Sequence, residues 1–510
     1  MAMVPKSSPA GQLRFLAIVA CTLCSTLVSG QTWRIVPQLS VRETYSDNID
    51  LAASSSAQSR AYSDISTGLL VERLGPRVSF LFDYRLRSYI YSGESRLNNT
   101  QNFLNSRAAF ELVDNWMFVD ARANITQQNR SAFGAPVAGD GTGVNANQAE
   151  TRTYQISPYV RGTLSDRAIY QFRFNASESR TAEDVLADSR TSEWLGLISS
   201  APTAGRLGWM LDGSAQTVRS DDIGTRKNDR ARVSLIYPLL PTLSISAIAG
   251  YEENSLASAE SRSGSSNGVG LEWNPSPRTR LVAVGQRRFF GNSHDVNFSH
   301  RTALTSWRFS SSRDVVLSQN IASAANQISV TELISDILAS SIPDPAARSA
   351  AVSQRLGQTG IPIASTTSSG FLTSRPTLTR RHDASVAILG VRSTISFSLS
   401  RRDQLALGDS SGAADSFSLS DDIRQTIAAT SWVYRLTPLS SFTLALSKTK
   451  SEGLSSLNFE SEQRLHSLYF NTSLGPRTTV SVGVRRDHFD STRATSYREN
   501  SVTGSLSVRF

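Results

Sequence analysis

The sequence predicts an all-β protein, a transmembrane antiparallel β-barrel of the bacterial outer-membrane type, on three observations. First, runs of about ten residues alternate apolar and polar side chains, as the strands of such barrels do. Second, the runs are joined alternately by short turns rich in Gly, Pro, Asn and Asp and by longer polar connections. Third, no stretch beyond residue 30 has the about 18 consecutive apolar residues that a membrane-spanning helix needs. Counting the runs gives about 22 strands, within a range of about 16 to 24.

The individual runs show the pattern. Between Trp33 and Tyr45, apolar side chains share one face and polar side chains the other. A soluble string of β-sandwiches would instead need strands of about 5–6 residues. Aromatic residues near the ends of the runs also favour a barrel with an interfacial girdle; they are Trp33, Trp116, Tyr237, Trp273 and Phe442.

Residues 1–30 are predicted to be a cleavable signal peptide, and residues 31–510 to form the barrel. Lys6 and Arg14 form a positively charged region before the short apolar run from Phe15 to Val28, and small residues up to Gly30 suit cleavage. A lipoprotein processing site at Cys21 is the alternative, but it would leave too short an apolar core. The chain's two cysteines, Cys21 and Cys24, both lie in this segment, so the exported chain would form no disulfide. The net charge of +9 would suggest a nucleic-acid partner inside a cell, and export argues against one.

One long connection, residues 320–376, is predicted to contain a helical hairpin. Ser329 and Glu332 form a capping box, Pro343 ends the first helix, and Gly357 ends the second. Such a hairpin could plug the lumen or rest on the barrel rim, and the sequence leaves both open.

The sequence gives no reason to expect an enzyme, a cofactor or a metal. Residues Gly264 to Gly268 match G-x-S-x-G, but they are expected in a Ser-rich loop before a strand and not at a strand-to-helix elbow. The five histidines have no metal-ligand spacing; they are His294, His300, His382, His466 and His488.

The polar faces of the runs are predicted to line the lumen. Six arginines on these faces are the candidate lumen-lining residues: Arg85, Arg87, Arg107, Arg122, Arg161 and Arg173. Their field could favour an anionic solute. Alternatively, they pair with carboxylates such as Asp83, Glu111 and Asp120 and stiffen the wall.

The last run has the form of an assembly signal. Gly504, Leu506, Val508 and Phe510 share one face of SVTGSLSVRF. Barrel-assembly machinery is expected to read such a terminal strand by pairing with it. The alternative is that the strand simply closes the barrel.

Three stretches resemble a known family: RIVPQLSVRETYSDNI from Arg34, FFGNSHDVNFSHRTALTSWRFSSSRDV from Phe289, and IPDPAARSAAV from Ile342. They resemble the PEP-CTERM system-associated outer-membrane proteins, which are akin to a group of β-barrel porins. The resemblance covers nearly the whole exported chain in layout. It implies a barrel that works beside exosortase and exopolysaccharide genes, and it supplies no catalytic residues.

The expected function is therefore participation in exopolysaccharide export across the outer membrane. The expected partners are outer-membrane lipid, the barrel-assembly machinery and periplasmic polysaccharide-export components, with no nucleic acid. A general diffusion porin for small solutes is the first alternative. A barrel that serves as a platform for an enzyme or an adhesin is the second.

Overall fold

A computed structural model of the chain describes residues 33–93, 95–136, 145–165, 168–182, 188–200, 207–221, 224–255, 262–317, 335, 338, 348, 370–408, 415–455 and 458–510. The predicted signal peptide lies outside these residues. Among the residues described, no helix is long and apolar enough to cross a membrane.

The fold is one antiparallel sheet of 22 strands closed into a barrel, which confirms the predicted fold class and strand number. Each strand pairs with the next along the chain, and β22 pairs with β1 to close the ring. The strands are β1 (Arg34–Ser46), β2 (Arg60–Leu74), β3 (Val78–Tyr91), β4 (Asn99–Val113), β5 (Met117–Asn129), β6 (Gln148–Ser165), β7 (Ala168–Thr181), β8 (Ser189–Ser200), β9 (Gly208–Ser220), β10 (Gly224–Leu240), β11 (Leu243–Asn254), β12 (Arg262–Ser276), β13 (Thr279–Arg288), β14 (Gly291–Arg301), β15 (Thr305–Val316), β16 (Thr377–Leu389), β17 (Ser393–Ala406), β18 (Asp422–Arg435), β19 (Ser440–Gly453), β20 (Glu460–Ser473), β21 (Thr478–Ser491) and β22 (Tyr497–Arg509).

The two ends of the barrel differ in their connections. At one end, here the short-turn end, strands are joined by connections such as 75–77, 241–242 and 390–392. The opposite end, here the long-loop end, carries 47–59, 130–147, 317–376 and 407–421. The β13–β14 connection is an exception, because only Phe289 and Phe290 link these strands at the long-loop end.

Most strands are longer than the runs of about ten residues that the sequence predicts. They extend from 10 residues in β13 to 18 in β6. In β20, the outer face is apolar at Leu468 and Phe470 but charged at Glu460, Glu462 and Arg464. The backbone ladder thus continues beyond the apolar part of the strand, where both faces are polar and the alternation no longer marks a strand.

The outer face carries an apolar band with aromatic residues at its short-turn edge. Large apolar side chains such as Leu399, Val482 and Leu506 are exposed there, as a lipid-facing surface requires. The five aromatic residues predicted for a girdle, from Trp33 to Phe442, are all exposed and all lie near the short-turn end.

The inner face is polar, and it replaces the hydrophobic core of a soluble protein. Most of its buried side chains are Ser, Thr, Asn, Gln or charged residues. Among the described residues, the largest cluster of buried apolar side chains lies at the long-loop end, and it consists of Ala132, Phe133, Phe371, Phe417 and Ile423.

The expected helical hairpin, Ser329–Gly357, falls almost wholly outside the described residues and stays a prediction. Three of its residues are described, Ser335, Leu338 and Arg348, and each has helical backbone. Leu338 packs against Ala387 and Leu389, which face inward at the short-turn end of β16. Leu338 therefore lies inside the barrel, at the end opposite to the one where its connection starts and finishes.

Candidate functional site: a polar lumen bridged at one end

All six arginines expected to line the lumen lie on the inner face. Arg85 and Arg87 share the face of Tyr89, opposite to the lipid-facing Phe82 and Tyr84. Arg107 lies directly opposite Arg122 on the neighbouring strand. Arg161 and Arg173 continue this face on β6 and β7.

Three of these arginines have carboxylate partners, as the ion-pairing alternative expects. Arg87 Nε lies 3.3 Å from Asp64, and Arg173 Nη1 lies 2.9 Å from Asp120. Arg85 lies 3.4 Å from Asp83. In contrast, no carboxylate of the described residues lies within ion-pair distance of Arg107, Arg122 or Arg161. The inner wall therefore keeps unneutralised positive charge on β4 to β6.

Aromatic rings lie among these arginines. Phe118 and Tyr159 stack with ring centroids 5.0 Å apart. The Arg161 guanidinium lies 4.4 Å from the Phe118 centroid, and the Arg173 guanidinium lies 4.0 Å from the Tyr159 centroid. We call this group, completed by Arg107 and Arg122, the arginine–aromatic patch. Its guanidinium groups can bind carboxylates, while its rings offer flat apolar surfaces.

The long-loop end is crossed by segments from opposite sides of the barrel. The first, 130–135, leaves β5 and reaches the β17–β18 connection, where the Ala132 N–H donates to Ser416 Oγ at 2.9 Å. It also reaches the β20 and β21 walls. There, Ser461 Oγ donates to the Ala132 carbonyl at 3.3 Å, and Ser491 Oγ donates to the Phe133 carbonyl at 3.1 Å.

A second segment, 370–376, crosses from β16 to β5. Phe371 forms an isolated parallel bridge with Asn129, the last residue of β5. The Leu372 N–H donates to the Asn129 carbonyl at 2.8 Å, and Asn129 Nδ2 donates to the Gly370 carbonyl at 3.1 Å. Both Phe371 and Leu372 are buried.

A third segment, 415–420, holds the other two together. Asp415 accepts from Thr373 Oγ1 at 2.6 Å and lies 3.3 Å from Arg375, so it binds the second segment. The Phe417 ring lies 5.2 Å from that of Phe371. Burial raises the pKa of the Asp415 carboxyl, although its bonds to Thr373, Arg375 and the Phe417 N–H act in the opposite direction.

We call these three segments together, 130–135, 370–376 and 415–420, the mouth bridge. The length of the second segment limits the distance between the two walls that the mouth bridge joins. From Phe371 to Thr377, six residues cover at most about 21 Å. A circular barrel of 22 tilted strands would measure about 44 Å across its backbone. The walls at the long-loop end are therefore closer together than in a circular section.

The sequence did not reveal the mouth bridge. Its residues come from three connections without periodicity, far apart in the chain. The only signal was the length of those connections, because long loops in compact proteins are usually functional.

The terminal strand adopts the expected arrangement. Gly504, Leu506 and Val508 face outward opposite Glu43, Val41 and Leu39 of β1. Phe510 lies just past β22, where its N–H donates to the Pro37 carbonyl at 2.9 Å and its side chain is 60% exposed. Its role in assembly stays a prediction.

The G-x-S-x-G stretch and the histidines lie on strands of the barrel wall. The G-x-S-x-G stretch lies within β12, not in a loop before a strand as expected from the sequence. The scattered histidines do include one spatial pair: His294 and His382 both hydrogen-bond Ser311, on the outer face. Neither imidazole has a carboxylate partner, and no group of three metal-ligating side chains occurs, within the part of the chain that the structure describes.

Comparison with known proteins gives likenesses of barrel architecture. No protein-family model and no curated protein matches the chain. The FrpB iron transporter from Neisseria meningitidis matches with a TM-score of 0.47 and 9% identity, over 96% of this chain and 84% of that one. The siderophore receptor PirA from Pseudomonas aeruginosa matches with a TM-score of 0.42 and 10% identity, over 95% and 82%. The outer-membrane protein opdK from the same species gives 0.34 and 6%, over 94% and 99%.

Proposed function

We propose that the chain is an outer-membrane channel that takes part in the export of a secreted polysaccharide. Its placement in an outer membrane is supported by the exposed apolar band, the aromatic residues at the short-turn edge and the polar lumen. The short turns then face the periplasm, and the mouth bridge faces the cell exterior.

The mouth bridge is the observation that favours an export channel over a general diffusion porin. A general porin conducts small solutes without a partner, so it needs a mouth that stays open. Here, hydrogen bonds join segments from opposite walls. The Ala132 N–H donates to Ser416 Oγ, and the Leu372 N–H donates to the Asn129 carbonyl. A closed mouth suits a channel that opens only when cargo or a periplasmic partner engages it.

The arginine–aromatic patch supports a sugar polymer as cargo. Phe118 and Tyr159 offer rings that can stack on the apolar faces of sugar residues. Arg107 and Arg122, which have no carboxylate partner among the described residues, can bind acidic groups on the polymer. The association with exosortase and PEP-CTERM genes is a further part of this proposal, and it rests on the sequence resemblance. The chain is proposed to act without enzymatic activity of its own.

A disulfide across the mouth bridge tests the proposal. The 2.9 Å contact between Ala132 N and Ser416 Oγ places the two residues within reach of a disulfide, so Ala132→Cys/Ser416→Cys should lock the bridge. The two native cysteines lie in the predicted signal peptide, so no other thiol should compete in the exported chain. The matched control is Thr44→Cys/Thr503→Cys, which links two adjacent strands across a 3.1 Å contact without crossing the mouth.

The readout is secreted polysaccharide in a deletion strain complemented with each variant. The locked variant should release polymer at the level of the deletion strain, and a reductant should restore export. The wall-linked control should export normally throughout. Normal export by the oxidised, locked variant would contradict the role of the bridge. Normal export in the deletion strain, with uptake of small solutes lost on locking, would instead favour the porin.

A further inference from the structure

A second site lies on the outer face of the barrel, away from the lumen. An open groove of about 630 Å³ is lined by Phe290, Asn292, His294, Arg313, Arg380 and His382. In the strand register, His294 lies opposite Arg313, and Arg313 lies opposite Arg380. The groove therefore spans three adjacent strands, β14 to β16. We call it the wall groove.

The height of the wall groove on the barrel sets what can reach it. Four residues nearer the short-turn end, the same three strands present Phe298, Phe309 and Ala384. Phe309 is exposed and belongs to the apolar band. At about 3.4 Å per residue, the groove lies about 7–14 Å above this row. It is placed where the apolar band gives way to a polar outer wall, which is the level of lipid headgroups.

The arginines of the wall groove form no ion pair with a described carboxylate, although Asp403 lies opposite Arg380 in the strand register. No carboxylate of the described residues lies within ion-pair distance of Arg313 or Arg380, and no carboxylate lines the groove. Arg313 donates a hydrogen bond to the Asn292 carbonyl. This bond positions the guanidinium, but a carbonyl carries no formal negative charge to pair with it.

Some other cations on the same outer wall are paired with carboxylates. Asp403 accepts from Arg424 at 2.8 Å and from Arg401 at 3.3 Å. Glu462 lies 3.0 Å from Lys448 and 2.5 Å from Arg464. Carboxylates thus lie within ion-pair distance of these exposed cations but not of the two arginines of the groove.

The two histidines form a polar floor between these arginines. Ser311 Oγ lies 2.8 Å from His294 Nε2 and 2.9 Å from His382 Nδ1, which fixes both rings. The rings are nearly parallel, with centroids 6.3 Å apart. The second nitrogen of each ring has no partner among the described residues, so each imidazole can offer a hydrogen bond to a ligand.

We infer that the wall groove binds a phosphate group of a lipid in the external leaflet. Two guanidinium groups and two imidazoles converge on one groove, and this donor set matches the oxygens of a phosphate. The apolar row below, with Phe298 and Phe309, faces the acyl chains of the same lipid. The inference rests on the outer-membrane placement of the proposed function, but not on polysaccharide export.

The test measures binding of bisphosphorylated lipid A to purified full-length protein in detergent by native mass spectrometry. The altered protein is Arg313→Ala/Arg380→Ala, and the matched control is Lys448→Ala/Arg464→Ala, which also removes two cations from the outer wall. We expect the groove variant to bind at least about tenfold more weakly than the parent protein. We expect the control to bind as the parent does. Arg380→Ala alone, which removes no side-chain hydrogen bond or ion pair to a described residue, keeps the test valid should the double variant fold poorly.

Two further ligands separate a lipid site from a site for any anion. Dephosphorylated lipid A should lose most of the binding to the parent protein, and inorganic phosphate alone should bind far more weakly than lipid A. Equal binding of lipid A by the parent and by the groove variant would overturn the inference. Equal binding of inorganic phosphate and lipid A would also overturn it, because the ligand would then be a free anion. Neither outcome affects the export assay, so the two proposals can fail independently.

Discussion

Truncation of Phe417 should open the mouth of the barrel without unfolding its wall. Phe417 is 1% exposed, and it lies in the cluster that joins Phe133 of the first crossing segment, Phe371 of the second and Ile423 of the wall. Phe417→Ala removes the shared member of this cluster. Such a truncation of a buried ring costs about 3–5 kcal/mol. The strand ladders do not depend on this side chain, so the loss should fall on the bridge.

The expected effect on opening follows from this free energy. Since every 1.4 kcal/mol is a factor of ten, the open population should rise by about two to three powers of ten. A cysteine placed below the bridge reports this population, because Ser398 is exposed on the inner face of β17. The measurement is the rate at which Ser398→Cys reacts with an impermeant maleimide added outside the cell. When the bridge opens and closes faster than the thiol reacts, this rate follows the open population.

The control is Phe118→Ala, which removes another buried ring of the inner wall but lies outside the bridge. Its labelling rate should stay within about twofold of the parent, because the strand ladders carry the wall at this position. Labelling that is as slow in the Phe417 variant as in the parent would refute the argument that this cluster holds the mouth closed.

Four further predictions concern other parts of the molecule. Burial raises the pKa of the Asp415 carboxyl, so the closed bridge binds this proton more tightly than the open bridge does. The stability of the closed bridge should therefore be greatest below the ordinary pKa near 3.8 and should fall as pH rises through the raised pKa. Asp415→Asn should remove this pH dependence of the labelling rate. Arg107→Glu/Arg122→Glu should shift the reversal potential of the channel in a salt gradient toward cation preference. Deletion of residues 329–357 should raise single-channel conductance, because Leu338 lies inside the barrel; unchanged conductance would place the segment at the rim. Phe510→Ala should refold in detergent almost normally, at a cost of about 1 kcal/mol because the ring is mostly exposed, yet insert poorly in cells if the assembly machinery reads it.

The sequence predicts the wall of this barrel well because the alternation of faces is a local property. Once Phe82 and Tyr84 are placed toward lipid, Arg85 and Arg87 must face inward. The same reasoning could not find the full length of the strands, because Glu460 to Arg464 are polar on both faces. It also could not pair His294 with His382, since their contact through Ser311 depends on the register of three strands.

The sequence could not predict the mouth bridge either, because the contacts of the bridge also join residues far apart in the chain. The same feature matters for the function that we propose. The bridge is held by contacts between connections, such as Ala132 with Ser416 and Asp415 with Arg375, and not by a continuous ladder. Regions with few contacts open at a lower free energy than the elements around them. The wall, in contrast, has every strand bonded to two neighbours. The bridge can therefore break and re-form while the barrel stays intact, which is the property that the proposed export channel would need.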